Sequence, residues 1–181
     1  RYDGSSKFAK GNRWAFFPAV SVGWRIDKES FMQNIRQINV LKLRGSVGEM
    51  GNQAIGNYEY LMSVLASKDY NYSFSDVLAG GAAIKDFVDE NISWETTRTY
   101  NLGLDFEAFD HRLLFSVDLY KKRTEGILRD VKIPAQIGNL NGPKQNIGVV
   151  ANDGIELNLQ WRSTIKNFHY SLGGNFCYNK N

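Results

Sequence analysis

Cysteine is nearly absent: Cys177 stands alone among 181 residues. One thiol can neither close an internal disulfide nor build a cysteine-based zinc site. Proline occurs three times, and no apolar run approaches the roughly 18 residues of a membrane helix. If the chain crosses a bilayer, it must do so with strands. The net charge of +3 is spread over 22 basic and 19 acidic residues without a Lys/Arg block. The clustered basic face of a nucleic-acid binder is missing, and no nucleic-acid partner is expected. No phosphate-cradling glycine loop, zinc-ligand spacing or nucleophile motif occurs. His111 and His169 each lack a second histidine nearby in the sequence. No cofactor, metal site or catalytic residue is therefore expected.

Alternation is what the chain has in abundance. Within residues 94–123, Tyr100, Leu102, Leu104 and Phe106 share one face, opposite Asn101, Gly103, Asp105 and Glu107. After the polar turn Asp110-His111-Arg112, Leu113, Phe115, Val117 and Leu119 oppose Ser116, Asp118, Tyr120 and Lys122. Period-two alternation predicts strands. Ordinary globular strands run about 5–6 residues, whereas a strand crossing an outer membrane needs about 9–11; both strands of this hairpin are long enough. The aromatics gather near strand ends, Trp94 and Tyr100 at one side and Phe106, Phe109 and Phe115 at the other, as interface girdles would.

Further strands are predicted over residues 15–26, 40–48, 147–162 and 168–178. Pro18 is expected at a strand start or a local irregularity, and Asp27 as the cap of a single helical turn. Connections after Ile26, Phe109 and Arg162 are short; those at 49–91 and 124–146 are long. Sorting loop length by end is a habit of outer-membrane barrels. A sandwich also alternates, but it buries its apolar face. The start at Arg1 and a strand pattern still running at Asn181 predict a fragment of a larger domain.

Four segments carry a resemblance: FFPAVSVGWRIDKESFM, INVLKLRGSVGEMGN, WETTRTYNLGLDFEAFDHRLLFSVDLYKKRTEGIL and NDGIELNLQWR. In that order they resemble successive barrel segments of the SusC/RagA-type TonB-linked outer-membrane transporters of Bacteroidetes-like bacteria. The resemblance spans residues 1–181. It implies an all-β fold, a partial transmembrane antiparallel β-barrel supplying about six strands of a 22-stranded wall. The plug domain and TonB box would lie outside residues 1–181. It further implies import of oligosaccharides or peptides across the cell outer membrane, with a SusD-like surface lipoprotein and TonB as partners and outer-membrane lipid around the wall. The alternatives are a passive porin or adhesin barrel and a soluble carbohydrate-binding β-sandwich.

The polar-face carboxylates Asp105, Glu107, Asp118 and Glu156 could in principle form a glycosidase pair. A hydrated wall balanced by Arg25, Lys42, Arg44 and Lys122 explains them more simply, and no enzyme activity is expected. The ligand candidates are Tyr58, Tyr60, Tyr70 and Tyr72 in the tyrosine-rich loop, whose rings suit stacking on sugars or peptides. The competing explanation is that they pack the loop onto the rim or against the SusD-like lipoprotein, which the resemblance implies as a lid.

Overall fold

The computed structural model describes residues 1–84, 86–137 and 141–181, the side chains of 67–70 and 135 excepted. Six strands form one antiparallel sheet and lie side by side in chain order. They are β3 (Ala19–Arg25), β4 (Ile38–Asn52), β7 (Glu95–Ala108), β8 (Leu113–Asp130), β9 (Lys144–Ile165) and β10 (Phe168–Lys180). Two small ribbons flank it: β1 (Tyr2–Gly4) with β2 (Trp14–Phe16), and β5 (Val64–Phe74) with β6 (Val77–Ile84). The sheet is an open wall whose edges are β3 and β10.

Register converts the alternation into horizontal rows. Leu43, Leu104, Val117, Leu157 and Phe176 align across β4, β7, β8, β9 and β10, with Trp24 of β3 at the end of the row. One residue away, on the opposite face, Arg44, Gly103, Asp118, Glu156 and Cys177 align. The apolar row belongs to a bare surface: Leu102, Leu119, Leu159 and Phe176 are about half exposed. No second layer of described residues covers it, as a sandwich would require. Strands of 14 to 22 residues in β7, β8 and β9 exceed what a membrane crossing needs.

A small true core sits at the long-loop end. Phe8, Ile55 and Ile92 are buried there, with Trp94 and Leu128 packed against them. Trp94 therefore does not join a girdle as its position suggested: its ring meets Phe8 and Phe17, and its Nε1 donates to Arg13 O at 3.2 Å. At the opposite end Phe109 and Trp161 lie 6.3 Å apart, as a girdle pair would.

Several boundaries differ from expectation. The first strand is broken at Phe17-Pro18, because Pro18 has no N–H to continue a ladder. β2 turns to β1, while Pro18 O accepts from Glu49 N at 2.8 Å. β8 runs to Asp130 and β9 starts at Lys144, so strand takes up both ends of the second long excursion and shortens it to 131–143. The first excursion contains the β5–β6 ribbon. Short turns at 109–112 and 166–167 and the excursion at 53–94 retain the sorting by end.

Residues 26–37 form two 3-10 turns, Ile26–Lys28 and Ser30–Met32. Asp27 caps neither. Its side chain, 3% exposed, accepts from Arg25 Nε and Nη2 at 2.7 Å each and from Leu41 N at 3.2 Å. A strand-borne guanidinium and a strand amide outcompete the turn's own amides. The Arg25 hydrogen bonds, ahead of the desolvation that opposes them, hold this carboxyl well below the usual carboxylate range. The tight turn after β7 places Phe109, Asp110 and His111 at φ 58, 54 and 62°, a conformation that L residues avoid. Tertiary bonds hold it: Phe109 N donates to Gln37 O at 2.9 Å and His111 N to Asn39 Oδ1 at 3.2 Å.

Candidate functional site

Two polar arrangements stand out on the wall. The first is on the polar face. Arg44 Nε and Nη2 donate to the two carboxylate oxygens of Asp105 at 2.9 and 3.0 Å, and Nη2 also reaches Asp118 Oδ2 at 3.1 Å. One guanidinium thus joins β4 to β7 and to β8, the strand beyond. Gly103 makes this possible: a Cβ there would lie 2.6 Å from Asp118 Oδ1 and 2.7 Å from Arg44 Cζ. The guanidinium crosses where any other residue would place a side chain. Of the cations expected to balance this face, Arg44 pairs with Asp105 and Asp118, and Arg25 pairs with Asp27 instead. Glu107 lies 2.5 Å from His111 Nδ1. Among the described residues Lys42, Lys122 and Glu156 make no ion pair. Asp105 and Asp118 thus turn carboxylate oxygens to one guanidinium, an ion-pair link across three strands.

The histidines are closer than the sequence suggested. His111 and His169 line one depression at the short-connection end with Arg112 and Arg162. His169 Nδ1 lies 2.8 Å from Thr164 Oγ1. Among the described residues no cluster of His, Cys, Asp and Glu is arranged to hold a metal.

The second arrangement is a cleft of about 1110 Å3 between the two long excursions. Glu59, Asp86, Asp130, Lys132 and Lys144 bring both signs of charge to its lining, and Tyr58 and Phe87 bring two aromatic side chains. Lys144 Nζ donates to Glu59 Oε1 at 2.9 Å, and Gly56 N donates to the same oxygen at 3.1 Å. Glu59 Oε2 also lies 2.9 Å from Nζ but accepts no well-directed hydrogen bond. Across the cleft, Phe87 N donates to Asn141 O at 3.0 Å and Asn141 Nδ2 to Asp86 Oδ1 at 2.6 Å. Gly142 lets the loop fold back, since a Cβ there would meet Val131 O at 1.7 Å.

The four tyrosines separate. Tyr58, at φ 60°, lines the cleft, and the half-buried Tyr60 ring lies 6.4 Å from it. Tyr72 belongs to the β5–β6 ribbon, where it meets Phe74 and is 58% exposed. The Tyr70 side chain lies outside the described residues. The charged lining was missed because Glu59, Asp86 and Lys144 are far apart in sequence and look there like ordinary loop charges.

Comparison with known proteins gives a consistent answer. The sequence family described as TonB dependent receptor-like, beta-barrel, matches residues 1–181. The chain is 36% identical to the TonB-dependent receptor SusC of Bacteroides thetaiotaomicron, covering all of this chain and 18% of that protein. It is 38% identical to TonB-dependent receptor P3 of Formosa agariphila, again over the whole chain and 18% of the relative. Its fold resembles that of the RagAB peptide importer in a closed-closed state, with a TM-score of 0.85 and 33% identity, covering 98% of this chain and 19% of that one. The chain therefore spans under a fifth of the length of these relatives.

Proposed function

Because the chain belongs to the TonB dependent receptor-like β-barrel family, we propose that it is a stretch of wall in a TonB-driven outer-membrane importer of the SusC/RagA type. The observation that carries this reading is the in-order, six-stranded antiparallel meander with one bare apolar face. In this role the apolar face meets lipid, the Arg44 row faces the lumen, and the excursions at 53–94 and 131–143 face outside. A soluble sandwich is disfavoured, because nothing described covers Leu102 and Leu119.

The cargo is an oligosaccharide or a peptide, received with a SusD-like surface lipoprotein. The outer cleft, with Tyr58 and both signs of charge, supplies part of the surface that meets cargo or lid. RagAB is a peptide importer by name, and a mixed-charge lining suits the termini of a peptide as well as the hydroxyls of a sugar. Energy coupling through TonB belongs to the plug portion of such a transporter, outside the wall segment formed by residues 1–181.

The test uses the full-length protein in its native outer membrane. Affinity purification in mild detergent is expected to recover a surface lipoprotein in equal amount. Uptake of labelled oligosaccharide and peptide pools is expected to stop when TonB is deleted. Uptake that persists without TonB would replace the importer with a passive porin, the reading this experiment is chosen to separate.

A further inference from the structure

The lipid-facing surface contains a depression that barrel closure does not explain. Its volume is about 550 Å3, and its walls are formed by Val22, Val47, Leu102 and Leu119, with Tyr100 and Lys121 toward the outer end. The depression arises at Gly45. In the row Val22, Gly45, Leu102, Leu119, Ile155, every position but Gly45 carries an apolar side chain. Packing does not demand a glycine there, because a Cβ at Gly45 would make only an ordinary 3.5 Å contact with Val22 Cγ2. Glycine inside a strand weakens it, so the empty place is open to a molecule outside the protein.

The polarity of the depression is graded. Two residues along each strand, about 7 Å further out, the row changes to Val47, Tyr100, Lys121, Asp153 and Lys180. Lys121 and Lys180 flank Asp153, and among the described residues none of the three makes an ion pair. One row further, Arg98 pairs with Glu49 and Arg123 with Glu125. The two free lysines outnumber the one free carboxylate. An apolar trough capped by the Lys121 ammonium and Tyr100, with Asp153 beside them and Lys180 one strand further, has the pattern of an anionic amphiphile: a chain below and a phosphate above.

We propose that this depression is a binding site for a phosphate-bearing glycolipid of the outer leaflet, with an acyl chain over Gly45 and the phosphate on Lys121. Asp153 lies beside the phosphate and sets the selectivity: the site favours a headgroup broad enough to reach Lys180 past that carboxylate over a narrow phosphodiester. The inference concerns the lipid face and leaves the cargo reading untouched.

The experiment uses the full-length protein, folded in detergent and mixed in turn with diphosphoryl lipid A, phosphatidylglycerol and phosphatidylcholine, then examined by native mass spectrometry after detergent exchange. The expected result is retention of lipid A at least about fivefold above either phospholipid. Gly45→Leu, which fills the trough with a lipid-compatible side chain, and Lys121→Gln should each reduce that retention at least about fivefold. Both should keep the mobility shift of a folded barrel on unheated gels. Retention unchanged in both variants, or equal retention of phosphatidylcholine, overturns the site. If Gly45→Leu does not fold, Gly45→Ala and Lys121→Gln decide by the same measure. TonB-dependent uptake measured on these variants is a separate readout, so loss of lipid with uptake intact leaves the importer standing.

Discussion

Replacing Gly103 by alanine should loosen β8 from β7, and the reason lies in one guanidinium. The new methyl would stand 2.6 Å from Asp118 Oδ1 and 2.7 Å from Arg44 Cζ and Nη2, so the arginine must lift away. Asp105 can follow it; Asp118, reached at 3.1 Å from two strands away, cannot. A charge-assisted hydrogen bond is worth about 1.5–3 kcal/mol when desolvated. The side chains here are 33%, 35% and 21% exposed and face water, which brings the Asp118 arm to about 1 kcal/mol or less. Displacing the guanidinium adds strain at the low end of the overpacking range, about 1 kcal/mol. The sum of about 1–2 kcal/mol corresponds to a factor of about 5–30 in a local opening equilibrium. Hydrogen exchange read by mass spectrometry on the full-length protein should show that loss of protection in peptides of β7 and β8, with β10 unchanged. The decisive control is the same substitution in an Arg44→Ala background. With no guanidinium to displace, and Asp118 released from Arg44 to turn away from the new methyl, Gly103→Ala should then cost less than about 0.5 kcal/mol. A cost of full size in that background would refute the argument and point to an intrinsic backbone requirement at Gly103.

Three further outcomes follow from the same geometry. Lysine at Leu104, on the lipid face, should destabilise the folded barrel by about 2–4 kcal/mol if it lies near the midplane, whereas lysine at Asn158, on the lumen face, should be nearly silent; the folded fraction on unheated gels after refolding into lipid distinguishes them. Asp27, whose folded-state pKa is depressed by Arg25, contributes stability that is complete above its unfolded pKa near 4 and lost as pH falls through the folded value. The difference in unfolding midpoint between wild type and Asp27→Asn should accordingly stay flat from about pH 5 to 8 and shrink only in stronger acid. In the outer cleft, Tyr58→Ala should weaken cargo binding about tenfold, the loss of one stacked ring, while Tyr72→Ala should leave it within about twofold; titration calorimetry with the identified cargo would expose an inverted order.

How far the sequence reached is clearest at particular residues. The faces of β7 and β8 were legible because a pleat has period two, and Leu104 opposite Asp105 admits one assignment. The ends of strands were not. Thr124–Asp130 and Lys144–Asn146 carry mixed charges and read as loop, yet they pair as strand because the ladder continues past the membrane-crossing height, where the alternation signal fades. Trp94 was placed in a girdle because sequence marks it as an aromatic at a strand end, but only contacts with Phe8 and Phe17 reveal a local core. The cleft was the least legible part: Glu59 and Lys144 meet across 85 positions, a separation no local pattern reports. The tyrosine count drew attention to the first excursion but could not separate Tyr58, which lines the cleft, from Tyr72 in the ribbon.

The wall leaves the sheet at Asn52 and returns at Glu95, in adjacent strands, where Asn52 Nδ2 donates to Glu95 Oε2 at 2.7 Å. Everything between, the β5–β6 ribbon and one side of the cleft included, is an insertion that the barrel closes off before it begins. Because loop closure grows only with the logarithm of length, doubling or halving such an insertion changes the closure free energy by about 0.6 kcal/mol. A lineage can therefore rebuild this outer surface, in length as well as in sequence, without renegotiating the register of a single strand. What is clipped between Asn52 and Glu95 can thus be exchanged as a unit while the pairing of the wall stays as it is.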